Sequence, residues 1–337
     1  MLTKLGLFPE GASTMAGRVD ALYLTLVSIT VFFTVLIAVL IVVFAIRYRR
    51  RPGREAEQIH GSLLLELTWS VIPLIIAMGI FVWGASVFVS IKRPPDNALQ
   101  IYAVGKQWMW KIQHLEGRRE INELHVPVGR PVKITLTSED VIHSFYIPAF
   151  RVKQDAVPGR YTTLWFEANQ IGSFHLFCAE YCGTEHSRMI GHVVVMDPAD
   201  YQDWLRSAAS ETAVAGSGEA SGTPSSLEGR GEQLYAKLGC VTCHSGTSGA
   251  LGPALAGLYG RSVDLKGGET VVADEVYLRE SIVSPQAKLV AGYQPIMPTF
   301  QGQVNEEALV ELIAYIKSLG TVRSPENAPG GEGARGS

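Results

Sequence analysis

The chain has 337 residues, room for two or three domains of roughly 100–200 residues each, and its formal net charge of −3 leaves no electrostatic footprint for a nucleic-acid partner. Hydrophobic residues make up 47% of it, and their excess lies before residue 92, so the first part belongs to a different solvent class from the rest. The four cysteines fall in two close pairs, Cys178/Cys182 and Cys240/Cys243, each inside a ligand or attachment pattern, so their number does not report a redox compartment.

Residues 1–20 carry Lys4, Glu10, Arg18 and Asp20 with Pro9 and Gly11, and hold no apolar core long enough for a signal peptide of their own; they read as a polar lead-in. Ala21 to Ile46 is uncharged over 26 residues, about 39 Å of helix, enough to cross ~30 Å of hydrocarbon with tilt. The loop Arg47-Tyr-Arg49-Arg50-Arg51-Pro-Gly-Arg54 is arginine-rich and stays on the cytoplasmic side. A second span runs from Leu63 to Ile91 with Glu66 its only charge, and Pro73 is tolerated because neighbouring helices satisfy the freed carbonyl. On position alone, Glu66 is a carboxylate near a helix end that reaches the headgroup layer. Lys92-Arg93-Pro94-Pro95 makes a stiff exit, which ends the N-terminal segment and hairpin (1–95) and puts the rest of the chain on the outer side.

Residues 96–206 read as short strands, Leu99–Val104, Val132–Thr137, Tyr161–Ala168, Ser173–Cys178 and His192–Met196, with turn residues between them, the pattern of a small β-sandwich or barrel. In Trp108-Met-Trp110, alternate strand residues face opposite sides, so at least one indole is buried. Cys178-Ala-Glu180-Tyr-Cys182-Gly-Thr-Glu-His186-Ser-Arg-Met189 gathers two thiols, an imidazole, a thioether and a backbone carbonyl in twelve residues, a donor set for copper or zinc. Cysteines four apart can share two metal ions as bridges, with His186 and Met189 close enough to cap one ion each. His143, following the alternating run Val132-Lys-Ile134-Thr-Leu136-Thr, is placed to supply the missing imidazole from a neighbouring strand end. The rival is a structural Cys2His2 zinc site, against which Met189 argues, since a thioether suits copper better. His175 reads as a packed or surface residue, and His114, His125 and His192 have no partner pattern.

His143 with Cys178-x-Glu180-x-Cys182-x-x-x-His186-x-x-Met189 resembles the dinuclear copper (CuA) site of subunit II of the haem-copper cytochrome c oxidases. The likeness extends through Gly105-Lys-Gln-Trp108-Met-Trp110, Asp155-Ala-Val-Pro158-Gly159-Arg160 and Glu66-Leu-Thr-Trp69-Ser-Val-Ile-Pro73, over roughly residues 20–200. It implies a cupredoxin-like sandwich in which Cys178 and Cys182 bridge two coppers and His143 and His186 each ligate one. Met189 and the Glu180 carbonyl complete the set as weak ligands. It further implies that the Glu180 carboxylate helps bind magnesium at the seam with subunit I, that Trp108 is where electrons arrive from cytochrome c, and that Glu66 lies at the cytoplasmic mouth of a proton pathway.

Residues 207–226 are small and polar with almost nothing to bury, a flexible linker whose 20 residues would span roughly 25 Å as a random coil. Residues 227–320 open with a Cys240-Val-Thr-Cys243-His244 run, the c-type haem attachment pattern: two thiols for the porphyrin vinyl groups and an adjacent axial imidazole. A thioredoxin-like pair is disfavoured because His244 follows directly and no βαβ pattern surrounds it. After His244 the chain has no further histidine and one methionine, Met297 beside Pro298, which is the candidate sixth ligand; the alternative is that it packs and leaves a five-coordinate iron. Gly252-Pro253 lies where small cytochromes c bring a loop carbonyl to the proximal imidazole. Leu309, Leu312, Ile313 and Ile316 have the spacing of a closing helix over Glu306–Leu319, completing an all-α class I cytochrome c domain, and residues 321–337 form a Gly/Pro-rich tail expected to be disordered.

The whole resembles subunit II of a caa-type oxidase in a bacterial plasma membrane, its copper and cytochrome c domains on the periplasmic side. It would carry electrons from cytochrome c or a membrane-bound donor through haem c and copper to subunit I, alongside further membrane subunits. A CuA-containing nitric oxide reductase and a membrane-tethered copper carrier are the rival readings.

Overall fold

The computed structural model describes residues 8–53, 61–214, 226–246 and 250–320. Helices α1 (Ala16–Arg47) and α2 (Leu63–Lys92) are apolar on all sides, as membrane spans are. The hydroxyls of Thr25, Thr30 and Thr68 donate to carbonyls one turn back, so these three need no partner from the lipid. Ser62 caps α2, and Pro73 sits inside it.

Helix α1 starts earlier than the uncharged run because the lead-in is tied down. Ala12 is fully buried and its amide donates to the Ala149 carbonyl at 2.9 Å, while Ser13 Oγ donates to Phe150 O at 2.9 Å. Arg151, held at φ 57°, reaches Asp20 at 2.8 Å and the Pro9 carbonyl at 2.9 Å. This strap fixes the outer end of the hairpin to the domain that follows.

That domain is a ten-stranded sandwich. Strands β1 (Leu99–Lys106), β2 (Met109–His114), β3 (Arg119–Ile121), β4 (Glu123–Pro127) and β5 (Pro131–Ser138) are followed by β6 (His143–Ile147), β7 (Val152–Ala156), β8 (Thr162–Glu167), β9 (Gly172–Cys178) and β10 (Ile190–Met196). One sheet has the order β3-β2-β1-β5-β8 and the other β4-β10-β9-β6-β7. Val132, Ile134 and Leu136 alternate inward from β5 to meet Trp110, Phe145, Phe166 and Leu176 in the core. His143 does not end the β5 run: residues 139–142 cross to the other sheet, and His143 begins β6 there.

Helix α3 (Pro198–Val214) packs Tyr201 and Leu205 against this core. The linker expected over 207–226 is therefore helical as far as Val214. The run is rich in alanine and follows a helix already nucleated by Pro198 at its first turn, so the helix propagates through it. Residues 215–225 lie outside the described ones, as do the tail residues 321–337.

The last unit comprises α4 (Leu227–Lys237), α5 (Cys240–Cys243), β11 (Ser262–Asp264), β12 (Thr270–Val272), α6 (Glu275–Val283) and α7 (Glu306–Ser318). Ser226, Asp274 and Asn305 each cap a helix through a side-chain oxygen. Leu309, Leu312, Ile313 and Ile316 are all buried. The unit is built on helices, as expected, with one short addition: Val263 and Val271 pair across the β11–β12 hairpin, where β-branched residues flank Lys266-Gly267-Gly268.

Candidate copper and haem sites

The end of β9 and the start of β6 lie side by side, with Phe145 opposite Cys178, and the chain between β9 and β10 closes into a tight loop. Backbone bonds staple it: Cys178 N to Met189 O at 3.2 Å, Ala179 N to Ser144 O at 2.9 Å and His186 N to Gly183 O at 3.1 Å. Inside, Cys178 Sγ stands 3.7 Å from Cys182 Sγ, 3.9 Å from His143 Nδ1 and 3.3 Å from the Glu180 carbonyl. Cys182 Sγ stands 3.4 Å from His186 Nδ1 and 3.9 Å from Met189 Sδ. All six candidate ligands converge, with Cys182 and Met189 only 2% and 1% exposed. Each thiol faces its own imidazole and its own weak donor, so the arrangement suits two soft ions bridged by two sulfurs better than one tetrahedral zinc.

Residues the sequence reading missed set this geometry. His143 Nε2 donates to Asp140 Oδ1 at 2.8 Å, which fixes the tautomer and leaves the Nδ1 lone pair facing Cys178. Asp140 also accepts from the amides of Gln107 and Val141 at 2.8 and 2.7 Å. Burial opposes its ionisation, but these donors outweigh it and its pKa lies below the ordinary carboxylate range. A Cβ on Gly105 would stand 2.8 Å from His143 Cδ2, so only glycine lets β1 come this close to the imidazole. Burial raises both thiols; at Cys178 the His143 contact and backbone donors overturn this and bring its pKa to about 6, whereas Cys182 beside it is pushed up. Trp108 is half-buried against the loop, its Nε1 donating to Cys182 O at 3.3 Å, while Trp110 is fully buried with its ring 5.9 Å from that of His143. Glu180 is exposed, and Glu66 lies in the exposed first turn of α2, far in sequence from every other candidate.

In the last unit Cys240, Cys243, His244 and Met297 line one cleft with about 1110 Å³ of empty space, its open mouth included. Its other walls are mostly apolar, among them Leu255, Leu278, Ile282, Leu312 and Ile316. His244 Nδ1 donates to the Pro253 carbonyl at 2.8 Å, so Nε2 is the nitrogen free for iron. A Cβ on Gly252 would stand 2.8 Å from His244 Cε1, which is why the loop carries glycine there. Two vinyl-reactive thiols, an oriented imidazole and a thioether in one apolar cleft fit a covalent haem.

His175 and His192 lie on the sheet surface with ring centroids 5.3 Å apart. His114 and His125, which carry no pattern in sequence, share Glu120: His114 Nε2 donates to it at 2.7 Å, His125 Nδ1 donates to its other oxygen, and Tyr201 of α3 meets His114 Nδ1 at 3.1 Å. Burial opposes the Glu120 charge, yet the two imidazoles outweigh it and lower its pKa. A depressed carboxylate stabilises the fold above its unfolded pKa, and that contribution disappears as pH falls through the folded value. Glu120→Gln is therefore expected to cost about 1–3 kcal/mol at neutral pH and to weaken the acid-side fall in stability. Thermal unfolding of the copper domain, measured from pH 7 to 3, checks both; parallel wild-type and variant curves would show that Glu120 contributes nothing.

Three family descriptions match the chain: cytochrome C oxidase subunit II, transmembrane domain, at residues 2–86; cytochrome C oxidase subunit II, periplasmic domain, at 114–196; and cytochrome C oxidase, cbb3-type, subunit III, at 227–316. Cytochrome c oxidase subunit 2 of Alkalihalophilus pseudofirmus is 31% identical over 311 residues, covering 89% of this chain and 86% of its own. Its counterpart in Thermostichus vulcanus is 30% identical over 256 residues, covering 60% and 78%. Among solved structures, the periplasmic domain of subunit II of cytochrome oxidase from Bradyrhizobium japonicum is 33% identical, covering 35% of this chain and 99% of its own, with a TM-score of 0.34.

Proposed function

The chain belongs to the cytochrome c oxidase subunit II family, with a cytochrome c domain fused at its C-terminus, and from that premise we propose that it is the electron-accepting subunit of a caa-type, proton-pumping oxidase. It is anchored in a membrane by two helices and works within an oxidoreductase complex. The carrying observation is the paired donor set, two thiols 3.7 Å apart, each with its own imidazole and weak donor. Copper and haem iron, when bound, supply one-electron carriers that need no bond to be made or broken.

The protein's part is to hold those carriers still. Cys178 and Cys182 would bridge two coppers, with His143, His186, Met189 and the Glu180 carbonyl completing the set. Cys240 and Cys243 would attach the haem, with His244 and Met297 as axial ligands. Trp108, against the Cys182 carbonyl, would receive electrons from an external cytochrome c or membrane-bound donor. The exposed Glu180 carboxylate is available for magnesium at a seam with subunit I, and Glu66, near the arginine-rich loop, for the mouth of a proton pathway. That loop argues for a cytoplasmic turn and for copper and cytochrome c domains on the periplasmic side of a bacterial plasma membrane. Further membrane subunits would complete the complex.

A CuA-containing nitric oxide reductase would use similar ligands; the Glu66 motif favours the oxidase. A copper carrier has no use for the haem cleft. The test is oxygen consumption by the complex from native membranes, driven by reduced cytochrome c, with nitric oxide offered in parallel. Rapid cyanide-sensitive oxygen uptake is expected; turnover of nitric oxide with negligible oxygen uptake would move the chain to the reductase.

A further inference from the structure

The haem-binding unit sits on the outer face of the β3-β2-β1-β5-β8 sheet, and the contact is built as an interface. Tyr102 of β1 and Tyr161 beside β8 are 1% and 7% exposed because they insert into the hydrophobic cluster of the cytochrome unit. Around them the charges are complementary. Lys111 of β2 meets Glu307 at 2.8 Å, Arg119 of β3 meets Glu311 at 2.5 Å, Lys133 of β5 meets Glu275 at 3.6 Å, and Arg279 donates to the Gly159 carbonyl at 2.5 Å. At the centre Lys317 is shared between Glu275 at 2.8 Å and Tyr102 Oη at 3.4 Å. Buried aromatic anchors ringed by ion pairs are the anatomy of a specific docking surface.

Helix α7 lies between that surface and the haem cleft. At 100° per residue, Glu307 and Glu311 point to the sheet while Leu312 and Ile316 line the cleft on the far side. From Tyr102, β1 runs three residues, about 10 Å, to Gly105, where an added Cβ would stand 2.8 Å from the His143 imidazole. Lys111, besides holding Glu307, bonds Glu139 at 3.0 Å, the neighbour of the Asp140 that orients His143. Among the described residues no hydrogen bond, ion pair or ring contact joins Trp108 to the cytochrome unit.

Resting on the relay reading above, we propose that the tethered cytochrome domain is latched to the copper domain through this sheet face, and that its electrons reach the copper site along β1 to His143 and not through Trp108, which serves external donors. In each transfer one electron leaves the haem site, which is oxidised, and arrives at the copper site, which is reduced; no bond changes.

The test uses the full-length chain with both cofactors loaded. A zero-length carbodiimide, which joins amines to carboxylates already paired, is expected to link Lys111 to Glu307 and Lys133 to Glu275 in peptide maps. Lys111→Met with Glu307→Gln is expected to leave the copper and haem spectra in place while slowing flash-initiated haem-to-copper transfer by about tenfold or more, as the latched geometry gives way to a tethered search. Links only within each domain would overturn the latch. Links with a transfer rate untouched by the double variant, or slowed by Trp108→Phe instead, would overturn the route. Links with no electron reaching copper would leave the latch standing and sink the relay reading.

Discussion

Cys182→Ser is expected to convert the copper spectrum of the loaded chain from one in which the unpaired electron is shared over two nuclei to one localised on a single copper. Cys182 Sγ is the hub of its half of the site, 3.7 Å from Cys178, 3.4 Å from His186 and 3.9 Å from Met189. A serine hydroxyl in its place is hard, shorter and protonated at neutral pH, so His186 and Met189 lose the soft anion that would hold a metal between them. Cys178 and His143, with Asp140 behind the imidazole, remain as half a site. Replacing an outer-shell partner of a metal ligand typically costs 10–100-fold, so losing a bridging ligand is expected to lower oxygen consumption driven by cytochrome c by more than about 100-fold. Haem attachment at Cys240 and Cys243 lies in a separate unit and is expected to proceed normally. A shared-copper spectrum that survives the substitution would show that Cys182 is not a bridge.

The parts of this molecule written in local chemistry are legible in the sequence. Lipid demands an unbroken apolar run, so both spans can be read to within a few residues, and Val132, Ile134 and Leu136 announce β5 by alternation. The copper loop is legible because five of its six candidate ligands fall within twelve residues, and the haem cleft because its two cysteines and histidine fall within five. What fails is whatever depends on distant partners. β7, Val152-Lys-Gln-Asp-Ala, is absent from the strands legible in sequence because its polar middle gives no alternation; it is a strand because β6 gives it a complete ladder. The polar lead-in became a strap through contacts such as Ser13 with Phe150, 137 residues away. Asp140 and Glu120 have no signature of their own, and the motif that contains Gly105 does not give its role, since these roles arise only when strands from different parts of the chain are brought together. The docking of the two redox units lies furthest from local reading: Lys111 and Glu307 are 196 residues apart.

Gly231→Ala is expected to be the most damaging single methyl group in the cytochrome unit. Helix α4 crosses α7 at this point, and an added Cβ would stand 2.0 Å from the Glu311 carbonyl oxygen, 2.7 Å from its carbon and 2.7 Å from Tyr315 Cβ. Two of those three atoms are backbone, so no rotamer change relieves the contact and the helices must separate. Alanine favours a helix over glycine by about 1 kcal/mol, which works in the opposite direction. Overpacking a tight core costs about 1–3 kcal/mol where side chains can yield, and more where they cannot. The steric effect wins, with a net loss of about 2–4 kcal/mol. Separation of the helices would also pull apart the Tyr235 and Tyr315 rings, now 5.3 Å between centroids, and shift Glu311, which Arg230 and Arg119 both grip. For a unit of this size the loss corresponds to a fall in melting temperature on the order of 15 °C. Unfolding followed at the haem absorption band checks it, with the copper spectrum as internal reference. The copper domain has its own core and is expected to shift less, losing only what the docked face with Tyr102 and Tyr161 contributes. An unchanged haem-domain melting point would mean that α4 and α7 can re-space freely, and that the close crossing is not what holds the cleft together.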